Sequence, residues 1–257
     1  MRKQISLFLL LFLLVFEVNA ALAAPIGVVQ RPAGDVWIYS RTERARHINA
    51  GDAFESGVSI STGARSSVVL RFQDGQTVVL ASNATFRVKT FAFNPTEPAK
   101  GQILFELVKG GARFVTGSIG ESNRGGWQLV TPSANVMVDG TDFFAVIEQG
   151  LYAHVNAGAV TLANSAGTVT LPAGGTAFVA GEAAVPVSAT AVPDGLFGEL
   201  QAVALNVPGG APSLGAGSAA AGSSSAVGIS SILIAIAVGA AAVAAAASGG
   251  STTTTHH

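Results

Sequence analysis

Ile60-Ser61-Thr62-Gly63-Ala64-Arg65-Ser66-Ser67-Val68-Val69-Leu70-Arg71-Phe72-Gln73-Asp74-Gly75-Gln76-Thr77-Val78-Val79-Leu80 is the stretch whose reading decides the fold. Over Ser67–Phe72 the side chains alternate. Val68, Leu70 and Phe72 face one way, and Ser67, Val69 and Arg71 the other, which is the period of a strand. Asp74-Gly75 follows as a hairpin turn, because glycine tolerates the positive φ such turns need. Thr77–Leu80 then returns antiparallel. Upstream, Gly51-Asp52 marks another turn, and Val36-Trp37-Ile38-Tyr39 is a β-branched and aromatic strand.

The pattern continues downstream. Residues 85–93, 103–108, 112–116, 127–130, 136–138, 143–148 and 151–155 read as strands, and 158–163, 167–171 and 175–179 as three more. Lys109-Gly110-Gly111 and Asp139-Gly140-Thr141-Asp142 read as turns, 94–100 as a Pro-bearing loop, and 117–126 as a mobile polar loop. Closely spaced short strands predict an all-β domain over 26–180, stacked as a sandwich or a solenoid-like array. No repeat of fixed period is present.

Composition agrees. Of 257 residues only 11% are charged and 31 are glycine, which suits a β-rich globule better than a helical bundle. A net charge of −1 gives no electrostatic basis for nucleic-acid binding. The absence of cysteine excludes disulfides, thiolate metal sites and cysteine nucleophiles.

The two ends read differently. Arg2 and Lys3 precede the apolar run 5–16, and Ala21-Leu22-Ala23 supplies small residues for cleavage before Ala24. Residues 1–23 are therefore expected to be a signal peptide, and the protein to be exported to the periplasm or cell surface. Residues 181–206 form an extension with a short helix, which places Leu196, Leu200 and Val203 on one face. Residues 207–226 are a Gly/Ser/Ala/Pro linker. Residues 227–247 are apolar and uncharged, long enough as a helix to cross a bilayer, and are a candidate for membrane association. Residues 248–257 are a polar tail without Lys or Arg.

Several of these residues, taken in order, resemble the FecR domain family. Gly51-Asp52, Ile60-Ser61-Thr62-Gly63, Asp74-Gly75, Lys109-Gly110, Arg113, Thr116-Gly117, Thr131-Pro132 and Gly140-Thr141-Asp142-Phe143 follow that family's pattern over about residues 30–180. Asp139 stands where the family commonly has arginine. The resemblance implies a β module of the bacterial envelope. Its better-known members are anti-sigma regulators of iron uptake, with a cytoplasmic segment and a membrane helix ahead of the module. Only Met1-Arg2-Lys3 precede the apolar run here, so the expectation is that this chain does not hold a sigma factor in that way.

No residue is expected to be catalytic, to hold a cofactor or to ligate a metal. Asp52, Asp74, Asp139 and Asp142 sit beside or near glycines. A calcium site and plain turn chemistry both explain that, and the missing EF-hand spacing favours turns. His47 and His154 lack a glutamate at zinc-motif spacing. Arg41, Arg44 and Arg46 form a basic cluster interrupted by Glu43. It reads either as a solvated loop or as a surface for an anionic polysaccharide, lipid head groups or a protein. With Asp139 and Asp142 these arginines make up the candidate partner surface, carried by loops 41–50, 117–126 and 139–142. Trp37, Tyr39 and Trp127 suit either a sugar-binding surface or the core. The expected function is a non-enzymatic, exported binding or signalling scaffold with an envelope protein or polysaccharide as partner. The alternative is a structural surface or matrix protein that assembles through its strands and its apolar C-terminal helix.

Overall fold

The computed structural model describes residues 24–41 and 43–203. The signal peptide, the linker, the apolar 227–247 run and the polar tail lie outside the described residues. Among the described residues fifteen strands join in one hydrogen-bonded sheet, so the all-β expectation holds. The order along the main path is β15 (Val187–Ser188), β14 (Thr176–Val179), β12 (Leu151–Asn164), β11 (Asn135–Ile147), β10 (Trp127–Val130), β9 (Gln102–Val115), β7 (Thr77–Leu80), β6 (Ser67–Phe72), β1 (Gly27–Ala33) and β4 (Ala53–Phe54). β13 (Gly167–Pro172) pairs with β12. A branch of β3 (Arg46–His47), β2 (Val36–Tyr39), β5 (Ser59–Thr62) and β8 (Thr85–Ala92) joins at β9. Among the described residues no helix is long and apolar enough to cross a membrane.

Three of the glycine-marked breaks in the sequence are bends inside long strands. The first half of β9 pairs with β8 and, in parallel, with β10, while its second half pairs with β7 and β11. β11 and β12 stay paired through their own bends, with a register irregularity between Asp139 and Asp142. Gly158 has a φ of 78°, and a Cβ there would lie 2.2 Å from the carbonyl oxygen of Gly140. The two bends thus nest at a distance that no larger side chain allows. Glycine inside a strand pattern marked a change of direction, but the neighbouring strand kept its hydrogen bonds, so no reversal followed.

The bends fold the sheet over on itself, and the alternation of each strand then sorts its residues. The inner face carries Val68, Leu70 and Phe72 of β6 and Phe86, Phe105, Phe114 and Phe143 of β8, β9 and β11, all buried. Trp127 is fully buried among them, edge-on to Phe114 at 5.7 Å and to Phe105 at 5.9 Å between ring centroids. Such edge-to-face pairs add about 0.5–1.5 kcal/mol each beyond the area they bury.

The outer face is apolar in one place. Val69, Val79, Ala81, Phe144 and Val146 form a second buried cluster, covered by Leu196, Phe197, Leu200 and Val203. The chain reaches this strip after β15, through α2 (Gly198–Ala202), and the Ser82 N–H donates to Glu199 Oε2 at 3.0 Å. That cover explains why both faces of β6 and β7 carry valine. The crossover from β9 to the parallel β10 contains α1 (Ser118–Ser122), whose Ile119 is fully buried. Residues 117–126 therefore include a helix seated on the fold, where the sequence suggested only a mobile loop.

Candidate functional site

The motif residues gather as internal fastenings. Thr62 donates its hydroxyl to the Ala81 carbonyl and accepts the Ala84 N–H at 2.9 Å, while the Gly63 N–H donates to the Asp35 carbonyl. This ties β5 to the turn after β7. Thr131 Oγ1 bonds the Ala134 carbonyl at 2.7 Å and closes the β10–β11 hairpin, with Pro132 exposed in the turn. Gly51 takes a φ of 90° in the turn closed by Asp52.

Asp74, Thr116, Thr141 and Trp127 come together beneath α1. Asp74 Oδ1 accepts the Gln76 N–H at 3.0 Å, and Ser118 donates both its N–H and its hydroxyl to the Asp74 carbonyl. Gln76 Oε1 accepts the Trp127 indole N–H. The Thr116 hydroxyl accepts the Thr141 N–H at 2.8 Å, and the Thr116 N–H donates to the Thr141 carbonyl at 2.9 Å. Asp74 is only 5% exposed. Burial pushes its carboxyl above the usual carboxylate range, opposed in part by the N–H groups of Gln76 and Ile119 and by the charge of Arg71. Asp74 Oδ2 makes no well-formed hydrogen bond; the Ile119 amide faces the carboxyl without reaching that geometry. Phe143 is buried against Phe114, the rings stacked at 5.1 Å. Among the described residues no three of His, Asp and Glu gather closely enough to hold a metal ion.

The candidate surface residues separate into two places. Arg113 grips Asp142 through two nitrogens, at 2.8 and 2.6 Å, and both side chains are about four-fifths buried. Asp139 pairs with Arg124 at 2.7 Å in an exposed contact. The acid at 139 is thus matched by a base at 124. Arg41 and Arg46 instead line an open cleft of about 740 Å³, while Arg44 is exposed and outside it.

The cleft lies between the 39–46 and 53–59 segments, and Arg87 and Lys89 of β8 complete it. Neither of those two was singled out in the sequence; they are ordinary strand charges until β5 pairs with β8 and carries them there. Glu43 and Glu55 also line the cleft. Arg46 pairs with Asp52 at 2.8 Å, and the Asn49 N–H together with Arg46 holds the Asp52 carboxyl below its usual range. Arg87 and Lys89 share Glu106, at 3.3 and 3.2 Å. Tyr39 stands at the mouth, two residues beyond Trp37 on the same strand face. Trp127, the third aromatic considered for a sugar surface, is core.

Residues 58–161 match the family model described as FecR protein. That segment is similar to a FecR domain. Two crystal structures of a protein assigned provisionally as an anti-sigma factor, from Parabacteroides distasonis ATCC 8503, are also similar to it. They share 18% identity, with TM-scores of 0.45 and 0.44, and cover 56% of this chain. The match takes in 65% and 64% of their length, so the chain spans just under two-thirds of those proteins. No curated protein matches the chain at a significant level. The FecR match holds the fastenings at Asp74, Thr116 and Thr141 and the β8 wall of the cleft. Arg41, Arg46 and Glu55 precede it. The cleft therefore lies along the seam between the FecR domain and the strands on its N-terminal side.

Proposed function

We propose that this FecR-domain protein is a non-enzymatic binding or signalling scaffold of the bacterial cell envelope, exported by its 1–23 segment. Its cleft is the surface that meets an envelope protein or polysaccharide. The observation that carries this reading is the cleft at the seam, where four cationic side chains and two carboxylates converge from three separate segments. The fastenings beneath α1 and in the turns hold the surrounding strands in place, which suits a rigid presenting body. A photo-cross-linker in place of Glu55, used in whole cells, is expected to capture a partner, and Arg41→Glu with Arg87→Glu is expected to abolish the capture. The same cross-linker in place of the exposed Arg124 serves as the control. Identical capture from both positions overturns the reading.

A second reading, the structural surface or matrix protein, draws support from the sheet edge. Val187 of β15 is 52% exposed and Val185, two residues before it, 56%, and an uncovered apolar edge is a template for pairing with another chain. Cross-links between copies of this chain at β15 would favour it.

A further inference from the structure

The outer face of the β3–β2–β5–β8–β9 branch holds two ordered rows of side chains. His47, Trp37, Ser61, Thr85 and Lys109 are successive cross-strand partners, and so are Tyr39, Ser59, Arg87 and Glu106. Between these rows Ile38, Ile60 and Phe86 turn to the core. Trp37 is the exposed member of the chain's two tryptophans, with 37% of its surface open. A contiguous apolar patch, not a single exposed side chain, is the informative case, and Trp37 has aromatic neighbours on its face. The His47 ring braces it at 3.7 Å between centroids. Tyr39 follows on the same face, about 6.6 Å further along the strand.

This arrangement places two aromatic rings at the β2 end of the face and a charged group at the β9 end, with the small, buried Ser59 and Thr85 between them. From β2 to β9 the second row spans three strand spacings, about 14 Å. At its far end Arg87 and Lys89 share Glu106, which leaves N–H groups on both unused. Arg41 makes no ion pair among the described residues and lines the cleft below. The cleft lining carries four cations, Arg41, Arg46, Arg87 and Lys89, against two carboxylates, Glu43 and Glu55. Aromatic faces stack on the C–H faces of pyranose rings, carboxylates accept from sugar hydroxyls, and guanidinium groups grip carboxylates. The neighbouring Glu43, Glu55 and Glu106 disfavour a phosphate backbone. A peptide adding as a strand needs a free sheet edge, which the interior of this face does not offer.

We propose that this face and the cleft beside it bind an acidic, carboxylate-bearing oligosaccharide. Its rings lie on Trp37 and Tyr39, and its carboxylates meet Arg87, Lys89 and Arg41. The proposal rests on the scaffold reading and names its ligand class.

The test is a titration of the full protein with polygalacturonate, followed by tryptophan fluorescence. Trp37 reports binding, and the buried Trp127 provides the constant background. Dextran serves as the neutral sugar and poly-glutamate as the polyanion without sugar. Saturable binding to polygalacturonate alone is expected. Trp37→Ala with Tyr39→Ala, followed by calorimetry, should weaken it at least tenfold, or about 1.4 kcal/mol, as should Arg87→Gln with Lys89→Gln. Near-UV circular dichroism of Trp127 checks that the variants remain folded. Equal binding of poly-glutamate, unchanged affinity in the aromatic pair, or no binding of polygalacturonate overturns the proposal. If the saccharide fails while Glu55 cross-linking still captures a partner that the Arg41 and Arg87 changes abolish, the scaffold reading stands and only the ligand class falls. The converse result keeps the ligand and removes the protein partner.

Discussion

The pocket beneath α1 and the open cleft treat polar groups in opposite ways. Beneath α1, Asp74, Gln76, Thr116 and Thr141 are withdrawn from water; Asp74 and Thr116 accept backbone N–H groups and Gln76 accepts the Trp127 indole N–H, while Asp74 Oδ2, Gln76 Nε2 and Thr141 Oγ1 make no well-formed hydrogen bond. At the cleft, Arg41, Arg46, Arg87 and Lys89 stay wet, and the acids that pair with the last three, Asp52 and Glu106, are half-buried. A buried polar group costs stability unless it is satisfied, so its position is strongly fixed. An exposed ion pair is worth little and is readily exchanged for another. The comparison teaches that motif and working surface need not coincide: the recognisable residues fasten the fold, and the residues free to change partner lie beside them.

The two tryptophans break this comparison most sharply. Trp127→Ala removes the ring at the centre of the aromatic core and is expected to cost about 3–5 kcal/mol. Trp37→Ala should change stability by no more than about 0.5 kcal/mol. Urea unfolding of the two variants measures both, and equal losses would erase the distinction between the regions.

The next effect is in pH. The folded state holds the Asp74 carboxyl above its unfolded value because burial penalises the charged form. Stability associated with this group is therefore fully present below the unfolded value, near 3.8, and is lost as pH rises through the folded one. Asp74→Asn keeps the acceptor for the Gln76 N–H and removes the titration. Its stability relative to the parent should improve between pH 3 and pH 7, and a difference that stays constant with pH would show that burial does not control this carboxyl.

The smallest effect is expected at the cleft. Asp52 has its pKa lowered by the Asn49 N–H and by Arg46, so its contribution is present above the ordinary carboxylate value and fades as pH falls through the lowered one. Arg46→Gln should cost at most about 1 kcal/mol at neutral pH, and less in high salt. Thermal melts at two ionic strengths check this, and a loss comparable with that of Trp127→Ala would place Arg46 among the fastenings.

The all-β class and the Asp74-Gly75 hairpin were legible because turn chemistry and strand alternation act over a few residues. The apolar set Leu196, Leu200 and Val203 does cover the outer strip, but the expected helical face is shorter than that spacing suggested, because only Leu200 lies within α2. What the strip itself was for could not be read from Val69 and Val79 alone. The bends at Gly110, Gly140 and Gly158 looked like reversals, since a positive φ serves both, and only the neighbouring strand decides. Ile119 was hidden among Gly, Ser and Asn, whose composition mimics a loop. Trp127 and Trp37 are chemically identical, and long-range pairing alone sends one to the core and leaves the other in water. Arg87 and Lys89 were missed at the cleft because their neighbours there come from more than 25 residues away in the chain.

The continuity of β9, β11 and β12 through their bends, with paired neighbours on either side, has a mechanical meaning. Two layers that only pack together can slide or swing apart, the shear and hinge movements by which many proteins respond to a ligand. Here the same three backbones run on through their bends and stay paired on either side, so a sliding or swinging movement there breaks ladder hydrogen bonds. A ligand at the proposed cleft would meet a body braced in this way, with the short edge strands and the strap that ends in α2 at its margins.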